Sequence, residues 1–219
     1  MGVWDIAFVS KILFWLKKLS VLILLMYRRA RYGYAFRRIR MAQPRYAIVD
    51  PEDYERLSKY EWEARRARNS PFYAARQARL TNQRKFTLIF MHREIIEVGD
   101  GLLIDHINHK SVDNRKANLR PATYTQSNRN RRKFSGQSNS KYKGVYWKKN
   151  IKKWVAQIGV NKKVIHLGCF KKEKDAARAY DEGAKKYHGE FASLNFPDSP
   201  RRAPRTPKPA LSAAEREEI

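Results

Sequence analysis

The runs YKGVYW, KWVAQIGV and KVIHLGCF constrain the fold more than any other feature of this chain. Each is short and rich in β-branched and aromatic residues, and Lys/Asn segments of turn composition separate them. The segment that follows, KEKDAARAYDEGAKKYHG, reads as a helix. Ala176, Ala179, Tyr180, Ala184 and Tyr187 recur at helical spacing, and Gly189 is placed to end it. Three strands followed by one helix predict a small α+β unit over residues 141–197, a three-stranded antiparallel sheet packed on a single helix. Strand alternation sorts its faces. Val145, Trp147, Trp154, Ala156, Ile158, Ile165 and Leu167 form the inner face. Tyr146, Lys148, Lys153, Gln157 and His166 form the outer one. Two details weaken the helix: Gly183 costs about 1 kcal/mol relative to Ala, and Lys171 and Lys172 stand where a hydroxyl or acidic N-cap belongs.

Charge says what such a sheet is for. Residues 131–174 carry fourteen Lys and Arg against one acid, Glu173. Over all 219 residues the formal charge is +26, and self-repulsion of that size calls for a polyanionic partner, nucleic acid before acidic membrane. A two- or three-stranded sheet fits the DNA major groove, where side chains like those of the outer face meet base edges and phosphates. Binding of this kind weakens steeply with salt. The single cysteine, Cys169, excludes an internal disulfide framework and any zinc ribbon built on paired CxxC motifs. An aromatic content of 12% implies packed cores rather than a basic disordered chain. No aromatic stacking platform of the RNA-binding type is legible.

Residues 1–40 differ from everything after them. They are apolar, but the longest run without charge is only Leu19 to Tyr27, and a membrane span needs roughly 20 residues. At 100° per residue, Ser10, Lys11, Lys17, Lys18, Arg28 and Arg29 fall on one side, which is the pattern of a basic amphipathic helix. Two other readings stay open: a signal peptide without a small-x-small cleavage site, and upstream translation ahead of a start at Met41. A membrane surface therefore remains a partner only through this segment.

From Arg45 the chain reads as short strands and turns. RYAIVD alternates and ends at Asp50-Pro51, a turn signal. EDYERLSKYEWEA reads as a short helix running into a strand, PFYAARQAR and RKFTLIF as strands, and MHREIIEV as the start of a short helix. Then comes IDHINHKSVDNRKANLRPAT, with Asp105 and His106 adjacent. A carboxylate is a hard ligand suited to Mg²⁺ or Mn²⁺. An imidazole can take a proton from water near neutral pH. Phosphodiester hydrolysis needs both functions. Adjacent strand residues point to opposite faces, so this pair needs a bend to converge, and Asn108 to Asn114 supply turn chemistry for one. Arg129 to Arg132 would follow as phosphate contacts. Taken alone, an Asp-His pair in a polar loop is also an ordinary hydrogen-bonded turn.

The pattern Asp105-His106, Asp113-Asn114-Arg115, Asn118-Leu119-Arg120 and Thr123 to Gln126 resembles the HNH (ββα-metal) endonucleases of the phage and intron homing type. The resemblance implies a general base at His106, a metal ligand at Asp105 and a loop-bracing role for Asn118. It also implies one divalent ion, Mg²⁺ or Mn²⁺, with a second ligand from the following helix. The chain departs from the pattern at that ligand: Ser127 stands where Asn is common, which leaves Asn128 or Asn130 to serve. His109 replaces a customary Gly in the turn, and His92 reads as structural. A second resemblance runs from about Ser140 to Pro197. Tyr142-Lys143-Gly144-Val145, Trp154-Val155-Ala156-Gln157-Ile158, Leu167-Gly168-Cys169-Phe170, Ala176 to Asp181 and Leu194-Asn195-Phe196-Pro197 resemble the AP2/ERF DNA-binding domain. It implies DNA contacts from Lys143, Tyr146, Lys148, Lys153, Gln157 and His166, to which Arg129 and Arg131 would add.

The expectation is an α+β protein in two parts. An HNH endonuclease module over 45–130, with its core at 86–130, joins through a basic linker at 131–140 to an AP2/ERF-like domain over 141–197. An N-terminal extension covers 1–40 and a Pro-rich disordered tail covers 198–219. The partner is double-stranded DNA and the setting intracellular, the cytoplasm of a bacterial or phage-infected cell. Oligomeric state is open, with a monomer slightly favoured. The rival reading is a DNA-binding regulator with an inactive HNH module.

Overall fold

The computed structural model describes residues 6–66, 71–79, 86–133 and 139–197. The expected tail over 198–219, and residues 134–138 of the expected linker, lie outside them. The chain divides into two compact units. One holds the residues up to Ile95 together with Ser111–Ala117; the other holds Ile96–Lys110 and residues from Asn118 onward.

The first unit opens with helix α1 (Ile6–Tyr32). Leu13, Trp15, Leu16, Leu22, Ile23 and Met26 are exposed on it. No helix among the described residues is long and apolar enough to cross a membrane. Strand β1 (Arg37–Arg40) pairs antiparallel with β2 (Tyr46–Val49). Helix α2 (Pro51–Leu57) starts at the Asp50-Pro51 signal, where proline's fixed φ suits a first turn. Strands β3 (Glu63–Arg65), β4 (Tyr73–Arg79) and β5 (Phe86–Phe90) form an antiparallel sheet in that order, and helix α3 (Met91–Ile95) follows. Ile39, Met41, Ala47, Val49, Leu57, Trp62, Ala74 and Met91 make the core. The Trp62 indole donates to the Leu57 carbonyl at 2.8 Å, which satisfies its one buried donor.

This core reaches across residue 40, the expected end of the N-terminal extension. Arg37–Arg40 is a paired strand, and Phe36, Ile39 and Met41 are all buried. The extension therefore merges into the folded unit ahead of Met41, because β2 needs β1 to satisfy its ladder.

In the second unit, β6 (Leu103–His106) pairs antiparallel with β7 (Leu119–Ala122), and helix α4 (Tyr124–Asn130) follows directly. The Thr-x-x-Gln sequence is a capping box: Thr123 accepts from the Gln126 N–H, and the Gln126 side chain accepts from the Thr123 N–H. Strands β8 (Val145–Lys148), β9 (Lys153–Val160) and β10 (Lys163–Phe170) form an antiparallel sheet with β9 in the centre. Helix α5 (Glu173–His188) covers one face. As expected, the Lys172 side chain makes no cap hydrogen bond.

The inner face is the one alternation predicts, with one irregularity. A bulge between His166 and Gly168 inserts an extra residue into β10. Leu167 and Phe170, three apart, can then both pack toward α5. Gly183 on α5 allows the close approach, since a Cβ there would sit 2.8 Å from Leu167 Cδ1. At the far end, the Asp181 carboxylate accepts from the N–H groups of Asn195 and Phe196 at 2.7 and 2.8 Å. Asn195 in turn bonds the backbone of Lys143, accepting from its N–H and donating to its carbonyl.

Candidate functional site

The β6–β7 hairpin and α4 bring the Asp105 carboxylate, the Asn130 amide and the His106 backbone carbonyl to one place. In the hairpin register Asp105 lies opposite Arg120 and His106 opposite Leu119. Asp105 and His106 are each only 7% exposed, so both side chains are sheltered by the fold. The turn beyond His106 is held from across the hairpin. Asn118, fully buried, accepts the Ile107 N–H on its carbonyl at 2.9 Å and the Asn108 N–H on its side-chain oxygen at 3.0 Å. His109 adopts φ +62, the left-handed conformation that explains why glycine is the customary residue at that point of the turn.

The helix register separates the two candidate second ligands. Asn130, 2% exposed, reaches Asp105: its Nδ2 lies 3.2 Å from Oδ1, 2.9 Å from Oδ2 and 3.1 Å from the His106 carbonyl. Asn128 does not reach it; its Oδ1 lies 3.5 Å from Arg131 Nη1 and its side chain borders a surface groove. Ser127 takes only the ordinary helical bond to Thr123. The departure at Ser127 thus leaves the site with an amide from one turn further along the helix.

These residues fit a hard divalent ion. A carboxylate oxygen, an amide side chain and a backbone carbonyl converge there, and Mg²⁺ commonly uses one or two carboxylates and completes its shell with water and phosphate. The side-chain amide can present its oxygen instead of its nitrogen by a half-turn. No group of three or more His, Cys, Asp or Glu able to hold a metal is present among the described residues, so a site here rests on one carboxylate and one amide.

Arg120 was not singled out by the sequence. Its Nε and Nη2 both donate to Asp105 Oδ2, at 3.0 and 2.8 Å. The signal lies in the register, which puts Arg120 opposite Asp105, and register is not visible until the strands are paired. Asp113 and Arg115, which enter the sequence reading only as part of the HNH resemblance, are a buried bidentate pair at 2.7 and 2.6 Å. The Arg115 guanidinium also lies 3.5 Å above the Tyr34 ring. Burial acts most strongly, to lower the Arg115 pKa, but the hydrogen bonds and charge of Asp113, with Tyr34 and Asp50, together outweigh it and raise the pKa. This pair and the Asn114 N–H bond to the Ile48 carbonyl at 2.7 Å anchor residues 111–117 in the first unit. His92 is buried, stacked on Phe90 and edge-on to Tyr73, as a structural residue would be.

On the C-terminal sheet, Lys148, Lys153 and His166 are exposed and Tyr146 and Gln157 half-buried, all on the face away from α5. The β10 bulge adds Cys169 to this face, its Sγ 3.6 Å from His166 Nε2. Lys143 is half-buried, and its ammonium donates to the carbonyls of Arg129 and Arg131, both at 2.6 Å, at the C-terminal end of α4. Lys133 makes a similar tie to the carbonyls of Ser140 and Tyr142, and burial lowers its pKa, against a raising influence of Glu173. Arg129 and Arg131 stay near the surface beside α4, with Tyr124, Asn161 and Lys162 bordering the same groove as Arg129.

Residues 140–190 match the AP2 domain. The chain is 28% identical to an uncharacterized HNH endonuclease of Acanthamoeba polyphaga mimivirus over 154 residues, which are 68% of this chain and 74% of that protein. It is 44% identical over 63 residues to an AP2/ERF and B3 domain-containing protein of Oryza sativa subsp. japonica, covering 29% of this chain and 17% of the rice protein. It is 42% identical over 69 residues to an ethylene-responsive transcription factor of Arabidopsis thaliana, covering 31% of this chain and 38% of that factor. The chain thus spans less than a fifth of the rice protein and well under half of the Arabidopsis one. Together the matches fit an HNH plus AP2 architecture.

Proposed function

We propose that this protein is a DNA endonuclease in which the hairpin and α4 hydrolyse a phosphodiester and the AP2 sheet supplies affinity for double-stranded DNA. The observation that carries the reading is the Asn130 amide lying across Asp105 and the His106 carbonyl. His106 would accept the proton of the attacking water. Asn118 would keep the turn, and with it the His106 backbone, in place. Asp105 and Asn130 would hold one Mg²⁺ or Mn²⁺, which when bound would neutralise charge on the scissile phosphate and the leaving oxygen. On the AP2 sheet, Lys148, Lys153 and His166 present cationic and polar tips at major-groove reach, with Tyr146 and Gln157 between them.

The test is a plasmid-nicking assay in Mg²⁺ or Mn²⁺, with and without chelator. Wild type should nick DNA, and His106→Ala should lose at least about a hundredfold in rate. If wild type and His106→Ala are equally inert on several candidate substrates yet bind DNA, the protein is a DNA-binding regulator. Arg120 is the feature that favours this second reading, because it already occupies one oxygen of Asp105.

A further inference from the structure

Arg120 makes contacts on two sides. Toward the hairpin, it places two N–H groups on Asp105 Oδ2. Toward the AP2 domain, its Nη1 donates to the Glu190 carbonyl at 2.9 Å, and its guanidinium lies 3.8 Å over the Phe191 ring. Glu190 and Phe191 belong to the short 3-10 turn Gly189–Phe191 that ends α5. The Arg120 side chain is 12% exposed and that of Asp105 8%, so the pair is shielded from the solvent that would otherwise weaken it. Phe191 is itself buried. The guanidinium is therefore clamped between an aromatic face and a backbone carbonyl of one module and a carboxylate of the other.

We infer that Arg120 is a positioning residue through which the AP2 domain sets the metal affinity of Asp105. The inference rests on the nuclease reading above. A carboxylate has two oxygens. Arg120 donates both of its bonds to Asp105 on Oδ2, leaving Oδ1, among the described residues, with the longer Asn130 contact alone. The cation both fixes the orientation of Oδ1 and repels a second cation beside it. The strength of that opposition depends on how firmly Phe191 and the Glu190 carbonyl hold the guanidinium. The metal site is thereby tuned from the recognition module: a shift of the Gly189–Phe191 turn would release Arg120 and free Asp105 for the ion.

Mn²⁺ titration by calorimetry tests this on the full chain, with Asp105→Asn marking the binding that belongs to this site. Arg120→Gln should bind Mn²⁺ about tenfold more tightly than wild type, a coupling of ordinary size. Arg120→Lys, which keeps the charge, should stay close to wild type. Phe191→Ala should shift affinity in the same direction as Arg120→Gln although it touches no ligand. A residue with a merely structural role would not tighten metal binding when removed. Equal or weaker Mn²⁺ affinity in a folded Arg120→Gln chain overturns the inference. So does tightening in Arg120→Gln with none in Phe191→Ala, which would leave Arg120 unlinked to the AP2 domain. If Arg120→Gln does not fold by circular dichroism, Phe191→Ala and Phe191→Leu carry the test with the same expectation. Absence of any Asp105-dependent Mn²⁺ binding in wild type and variants overturns both the coupling and the metal site. Tight Asp105-dependent binding that ignores Arg120 and Phe191 overturns the coupling alone.

Discussion

Asn130 and Asn128 differ by half a turn of one helix, and that separates a buried partner of Asp105 from a residue bordering a surface groove. Asn130→Ala should lower nicking by about a hundredfold or more, the loss typical of a disturbed metal shell. Asn128→Ala should change it little, and the same plasmid assay reads both. A second residue-scale test concerns stability. His188 Nε2 lies 2.9 Å from the Gly159 carbonyl, and its Nδ1 is buried without a hydrogen-bond partner among the described residues. Burial lowers its pKa from the ordinary 6.5, the charges of Arg129 and Lys143 act the same way, and the Gly159 carbonyl opposes them. Because the folded value is depressed, the unfolded chain takes the proton first as pH falls. Stability should therefore hold above about pH 6.5, fall as the pH drops below it, and stop falling once the folded value is passed. Thermal melts across that range should show this slope in wild type and lose it in His188→Gln.

At the scale of elements, the AP2 sheet depends on two backbone features. One is the β10 bulge, without which strict alternation would turn Phe170 to the face opposite Leu167. The other is Gly144, at φ +72, where a Cβ would lie 1.9 Å from Tyr180 Cδ2 and 2.7 Å from the Gln157 carbonyl oxygen. Gly144→Ala combines an unfavourable φ with a clash in the core. It should destabilise this unit by about 3 kcal/mol in urea denaturation. Strand and helix identities here were legible from the sequence, since Trp154, Ala156 and Ile158 alternate and Ala176, Tyr180 and Ala184 recur at helical spacing. The bulge was not, because an inserted residue looks like any other until its partner strand is aligned. Lys143 escaped for a related reason: a lysine beside a glycine turn reads as a surface cation, and only the fold brings the end of α4 under its ammonium.

For the whole molecule, the test is where the folded chain begins. A chain begun at Met41 loses β1 together with the buried Phe36 and Ile39. It should be less stable by several kcal/mol, since each large apolar side chain removed from a core costs about 2–5 kcal/mol. A chain begun at Gly33 keeps β1 and should unfold in urea near the full chain's midpoint.

By itself, the sequence made legible the three strands and the helix of the AP2 unit, the faces of that sheet and the adjacent Asp105-His106 pair. It could do so because periodicity, turn chemistry and motif spacing are local properties written into consecutive residues. Tertiary structure decided the rest. It brought Asn130 rather than Asn128 to Asp105, paired Arg120 with Asp105, buried Asp113 with Arg115, tied Lys143 to the end of α4 and joined β1 to the core. Each of these depends on strand register or on packing between segments far apart in the chain. There the partner of a charge or an amide is set by three-dimensional proximity, which residue order does not carry.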